Sequence, residues 1–219
     1  MSSVTDVTDQ SVKVSPAAAP VTVAPVTVVP AGDPSVLGLP AFIVGSIALG
    51  FSLTGYVPDT AQASIIPIVL AATGLGLLVA TLWAARLGQT VVAGIFGVFT
   101  GFWWSYAALV LGLNHNWYAI PTEDVNKSVG IFLLCWTLLI GLLTLATLRL
   151  PVAFTALLGL VTVALALVTI GTLNTETSIV KAGGYVVLAF AALGAYLFAS
   201  ASETALGGRG YNLGKAVRH

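Results

Sequence analysis

An all-α membrane protein built as a bundle of six transmembrane helices is the fold this sequence predicts, and three observations carry the prediction. The mean hydropathy is +1.01. Only 7% of residues are charged, against about 25% in soluble proteins. Finally, the apolar residues fall into uncharged stretches of about 20 residues, the length a helix needs to cross a hydrocarbon core of roughly 30 Å. The balance of 8 Lys+Arg against 8 Asp+Glu leaves no basic surplus for nucleic acid, so no nucleic-acid partner is expected. The single cysteine, Cys135, lies in an apolar run, where it reads as a small buried hydrophobe.

Taken in order, residues 1–32 are rich in Pro, Val, Ala and Thr, with a proline spacing that forbids a long helix, and read as a disordered tail. A positive region followed by an apolar core is missing there, so the segment does not read as a signal peptide. Span one, 33–56, opens on a capping Asp33 or Ser35 with early prolines. Span two, 64–85, stops at Arg86, with Trp83 suited to the headgroup layer. Span three, 88–113, is the longest uncharged segment. Its small residues Gly94, Gly97, Gly101, Ser105, Ala108 and Gly112 recur at steps of three and four. That spacing makes one strip along a helix, a ridge on which neighbouring helices pack closely in lipid. This predicts a central packing helix.

Trp117 and Tyr118 in the following loop suit a second interfacial belt. Span four is 128–148, ended by Arg149 and Pro151; span five is 151–171; span six is 181–202. The chain thus divides into the tail 1–32, a membrane domain 33–204 and a flexible tail 205–219. In a six-span protein the termini share a side. That side carries Lys13, Arg86, Arg149, Arg209, Lys215 and Arg218, and the other carries only Lys127 and Lys181. Positive charge marks the cytoplasmic side, so both termini are expected there, in a multi-pass protein of the cell membrane.

No Asp, Glu, Lys, Arg or His falls in the interior of a span; Asp33 and Lys181 stand at span edges. Pumps, ion-coupled carriers and voltage sensors usually depend on such a charge, and acid–base catalysis needs a titratable group at the reacting atom. No enzyme activity, cofactor or metal is therefore expected. The polar groups left in the spans are hydroxyls, among them Thr100, Ser105 and Tyr106. Such groups either line a path for a small solute or bond back to their own helix carbonyls. The aromatics Phe96, Phe99, Phe102, Trp103 and Trp104 of span three are placed to narrow such a path.

The run Asp33-Pro34-Ser35-Val36-Leu37-Gly38-Leu39 resembles the pore-mouth motif Asn-Pro-Ala-Pro-Leu-Gly-Leu of the acetate uptake transporter family, also called succinate-acetate permeases. Gly88-Gln89-Thr90, Phe102-Trp103 with Ser105, and Ser202-Glu203 with Gly208-Arg209 are similar to further stretches of that family. The resemblance implies a ring-shaped homohexamer in the lipid bilayer, each protomer with its own pore for acetate, related short monocarboxylates or succinate, passive or proton-linked. It also implies a constriction made by a Phe, a Tyr and a Leu, which fall here on Phe42, Phe99 and Val161. Asp33, Pro34, Leu37, Gly38 and Leu39 then mark the pore mouth. Asp33 stands where the family has Asn, and Phe99 and Val161 stand for its Tyr and Leu, so the gate is expected to be drier and the mouth less welcoming to an anion. A channel for small neutral solutes such as urea, and a structural membrane protein with no pore, are the alternatives.

Overall fold

The computed structural model describes residues 32–218, so the tail expected over 1–32, Lys13 included, lies outside the described residues but for Gly32. Six helices long and apolar enough to cross a membrane are present, in the order expected. They are α1 (Ser35–Leu53), a second span that ends in α2 (Gly76–Arg86), α3 (Thr90–Asn114), α4 (Val125–Ala146), α5 (Val152–Leu173) and α6 (Thr177–Ala205). Span two is not a uniform helix. A 3₁₀ turn over Asp59–Ile65 leads to a π-helical segment over Ile68–Leu75, which runs into α2. The Trp104 indole N–H, from α3, donates to the Leu70 carbonyl at 3.2 Å within that looser winding. Leucines on α4 such as Leu138 and Leu142 stay more than 60% exposed, the surface a lipid-facing helix presents.

The helices close a ring. α1 packs along α6, α6 along α5, α5 along α4, and α2 with its π segment along α3 and α1. Between α3 and α4 the seam is made by large rings. Trp136 stands edge-on to Phe102 with centroids 5.4 Å apart, and Phe132 lies 6.3 Å from the same ring.

Inside one protomer, three glycines of the α3 ridge make no close contact, whereas a fourth, Gly112, lies against the Tyr118 ring. A Cβ at Gly94 would meet nothing, one at Gly97 would touch Thr81 at an ordinary 3.4 Å, and one at Gly101 would touch Trp136 at 3.5 Å. Gly94, Gly97 and Gly101 are thus not in close contact with another helix of the same protomer. On α1 and α6 the approach is closer. A Cβ at Gly45 would collide with the Thr73 side chain, and one at Gly184 would sit 2.9 Å from the backbone of α1 at Thr54.

The hydroxyls within the helices mostly turn inward on their own backbone. Ser46, Thr81, Thr100, Thr137, Thr144, Thr162 and Thr169 each donate to the carbonyl four residues earlier. Two rungs cross from α4 to α5, Thr137 to Thr169 at 3.2 Å and Thr144 to Thr162 at 3.0 Å; in each, one of the two hydroxyls turns its single proton from the backbone to the other. Interhelical hydroxyl pairs of this kind substitute for the water that lipid cannot supply.

The segment beyond α6, expected to be a flexible tail, is instead folded back on the bundle. Its Lys215 carbonyl accepts from the Val152 N–H at 3.2 Å, and its Leu213 carbonyl from the Ala153 N–H at 3.1 Å. Those are two of the N–H groups that the first turn of α5 cannot satisfy internally. Gly214 turns the tail between them with φ +77°, a conformation that costs glycine nothing. Farther along, the Arg218 N–H donates to the Leu148 carbonyl at 2.9 Å, while Tyr211 donates its N–H to Ser200 Oγ at 2.9 Å.

Candidate functional site

Three cavities lie in sequence between the helices. The first, about 430 Å³, opens among the C-terminal ends of α1, α3 and α5 and is lined by Gln62, Tyr106, Asn126, Thr172 and Thr177. The second, about 60 Å³, lies at mid-bundle and shares Leu53, Tyr106, Leu133 and Val168 with the first. The third, about 120 Å³, lies between the opposite helix ends, where Ser35, Leu39, Ile95, Phe154 and Leu197 line it. Middle and third cavities share Phe42 and Phe99 and no other lining residue. Those two rings are the partition.

The partition follows from where the helices place their aromatics. Phe42 on α1 and Phe99 on α3 are 4% and 3% exposed, and their rings meet edge to face with centroids 4.9 Å apart. Val161, on α5, lines the middle cavity beside them. A third ring completes the group, Phe190 of α6, stacked on Phe42 at 5.6 Å. Sequence reasoning passed over Phe190. The signal for it is a lone large ring in a run of small and aliphatic residues, VVLAFAALGA, on a helix that packs against both α1 and α5.

The expected polar contacts divide sharply. Tyr106 lines both the outer and the middle cavity, and its hydroxyl makes no hydrogen bond among the described residues. Thr100 and Ser105 line none of the three cavities. Their protons are committed to the helix, Thr100 to the Phe96 carbonyl at 2.9 Å and Ser105 to that of Gly101 at 2.7 Å. A hydroxyl has one proton to give, so neither is free to donate to a solute. Trp104, bonded to Leu70, serves the π segment and not the cavities.

At the pore-mouth motif, Leu39 faces the third cavity, whereas Pro34 is fully buried and Gly38 lies against the Phe96 ring. Leu37 packs on the hydrophobic core. The Asp33 carboxylate accepts the Ser35 N–H at 2.9 Å. This Asx turn precedes the N-cap, Pro34, and takes up the first N–H of α1, where the positive end of the helix dipole offsets part of the charge expected to repel an anion. Among the described residues, no cluster of His, Cys, Asp and Glu gathers as metal ligands would.

The GPR1/FUN34/yaaH family model matches residues 16–205. The chain belongs to this family. Relatives include "Ammonia transport outward protein 2" of Saccharomyces cerevisiae, 30% identical over 65% of this chain and 55% of that one. "Acetate permease A" of Emericella nidulans is 28% identical over 73% of this chain and 58% of that one. The chain therefore spans little more than half the length of these two curated relatives. Among solved structures, "Structure of the bacterial acetate channel SatP" superposes with a TM-score of 0.73 at 22% identity, covering 82% of this chain and 96% of that one. At that identity the likeness is one of fold: the six-helix ring is shared.

Proposed function

We propose that each protomer is a channel or transporter for acetate and similar short carboxylates, succinate among the candidates, and that solute passes through the three cavities in turn. The observation that carries this reading is the partition. Two cavities separated by the Phe42 and Phe99 rings alone, in a bundle with no charged group at that level, make a narrow, dry gate for a small solute. Val161 and Phe190 complete the ring of contacts around it, and Tyr106 is the hydroxyl on the approach. The expected charge asymmetry puts the termini, and with them the Asp33 mouth, on the cytoplasmic side of a cell membrane. The family resemblance is the basis for assembly as a homohexamer.

The apolar wall of the middle cavity favours a second reading. A pathway with no fixed cation also suits a neutral solute such as urea, or the ammonia named for the yeast relative. Labelled-acetate uptake into proteoliposomes near pH 8 separates the two. A carboxyl of ordinary acidity titrates at about 4 to 5, so little neutral acid remains there to cross lipid unaided. Uptake above protein-free vesicles, inhibited by propionate and not by urea, supports the carboxylate pathway. Uptake equal to the control, in vesicles that hold folded protein, overturns it.

A further inference from the structure

None of the residues lining the three cavities is charged. A further pocket, about 340 Å³, brings a cation to their edge. Lys181 of α6 lines it, and the pocket shares Leu53, Gln62, Thr177 and Val180 with the outer cavity. With four residues walling both spaces, Lys181 stands beside the mouth of the path.

The local backbone decides where the ammonium sits. α1 ends at Leu53, and Gly55 turns the chain away from it with φ +84°, a conformation that suits glycine and few other residues. A Cβ at Gly55 would lie 3.2 Å from Lys181 Cε and 3.5 Å from Nζ. Gly55 lines the same pocket, so the charged end of the side chain rests at the pocket wall, where a bare glycine leaves room for it.

The second observation is that this charge is unspent. Of the two lysines expected on this side of the bundle, Lys127 is paired with the Asp124 carboxylate at 3.1 Å. Lys181 makes no hydrogen bond or ion pair among the described residues. An ammonium carries three donors and no acceptor, and its complement is an anion. The Tyr106 hydroxyl, farther into the outer cavity, is likewise unbonded.

Building on the carboxylate pathway above, we propose that Lys181 Nζ forms an anion-capture site at the mouth of the outer cavity, taking the carboxylate of a short-chain acid before it enters the path. Lys181 is then a specificity residue. It draws a carboxylate and gives no such advantage to a neutral solute, a distinction that the uncharged walls beyond it cannot make by Coulomb attraction. From this site the acid moves into the outer cavity, toward Tyr106.

The test is equilibrium exchange in proteoliposomes at pH 8, with equal acetate on both sides and labelled acetate added outside, so that flux passes Lys181 whichever way a protomer is inserted. The half-saturating acetate concentration is read at ionic strengths of about 0.01 M and about 1 M, where the Debye length falls from about 30 Å to about 3 Å. At the lower ionic strength Lys181→Gln is expected to raise it about fivefold, the worth of one unit charge near contact distance in water. Lys181→Arg, which keeps the charge, should stay near wild type, and the difference between wild type and Lys181→Gln should shrink below about twofold at the higher ionic strength.

Equal half-saturation in wild type and folded Lys181→Gln at low salt overturns the capture site and leaves the pathway standing. A rise in Lys181→Gln that is the same at both ionic strengths also overturns it, since a structural effect is not screened. Should Lys181→Gln fail to fold, the wild type decides: a half-saturating concentration that does not rise with salt overturns the site. No exchange above protein-free vesicles in the wild type overturns the pathway, and the role of Lys181 with it.

Discussion

Replacing Phe42 by alanine tests the partition most directly. The ring has an edge-to-face partner in Phe99 at 4.9 Å and a stacked one in Phe190 at 5.6 Å. Aromatic pairs contribute about 0.5–1.5 kcal/mol each beyond their buried area, and Phe→Ala in a packed core costs about 3–5 kcal/mol in total. The variant is therefore expected to fold with a lowered unfolding midpoint. Its effect on permeation is larger in kind, because loss of the ring joins cavities of about 60 and about 120 Å³ into one. One methylene of steric discrimination in an apolar site is worth about 1–3 kcal/mol, or 10–200-fold. If Phe42 supplies that discrimination, the ratio of acetate to butyrate uptake should fall about tenfold or more toward unity, chiefly because butyrate uptake rises. The assay is paired uptake of the two labelled acids into the same vesicle preparation at pH 8. An unchanged ratio, in folded Phe42→Ala beside a wild type that conducts, would refute the placement of the gate.

Packing and capping yield further expectations. Gly45→Ala should lower the thermal midpoint in detergent by the equivalent of about 1–3 kcal/mol, the cost of overpacking against Thr73. Gly94→Ala, where the added methyl meets nothing, should leave the midpoint unchanged or raise it slightly, since alanine is favoured over glycine in a helix by about 1 kcal/mol. Equal loss in both would contradict the account of which glycines pack. A double-mutant cycle on Thr144→Val and Thr162→Val should return a coupling of about 0.6 kcal/mol, the size measured for hydrogen bonds between membrane helices, and a coupling of zero would make the 3.0 Å rung energetically silent. Removing residues 211–219 frees the Val152 and Ala153 N–H groups, so amide exchange in the first turn of α5 should accelerate while that of α6 stays slow. Exchange unchanged in α5 would mean the tail contributes nothing there.

What the sequence discloses and what it conceals divide along physical lines. Hydropathy and span length locate all six membrane helices, because lipid imposes one requirement on every residue of a span. Resemblance supplies Phe42, Phe99 and Val161, which the fold brings to the partition and the middle cavity from α1, α3 and α5. Periodicity does not say what the α3 ridge packs against. Small residues at steps of three and four permit close packing but do not compel it, and inside one protomer Gly94 and Gly101 face open space or a single ring edge. Hydroxyl positions leave two outcomes open, because whether a Thr faces a pathway or its own backbone is decided by its rotamer, which spacing does not encode. The π segment has no periodic signature at all. The docked tail is equally invisible, since its carbonyls become acceptors only once α5 presents unpaired N–H groups to them.

A wall without fixed charge raises the question of which form of the acid crosses, and magnitudes narrow the answer. Burying an ion costs several kcal/mol even after relaxation. Neutralising a carboxylate whose pKa lies near 4.5 instead costs about 3.4 kcal/mol at pH 7, at 1.36 kcal/mol per unit. The two costs are close enough for donors in the path to decide between them. A hydrogen bond to a charged group contributes about 1.5–3 kcal/mol, so the free Tyr106 hydroxyl on the approach would offset much of the anion's penalty. With that donor in place, uptake at fixed total acetate should vary little between pH 6 and pH 8. If only the neutral acid crosses, uptake should instead fall about tenfold for each unit of rising pH. Tyr106→Phe removes that donor and should move the wild-type profile toward that steeper slope. A wild type already at the tenfold slope would mean that the proton travels on the solute and that Tyr106 holds no anion.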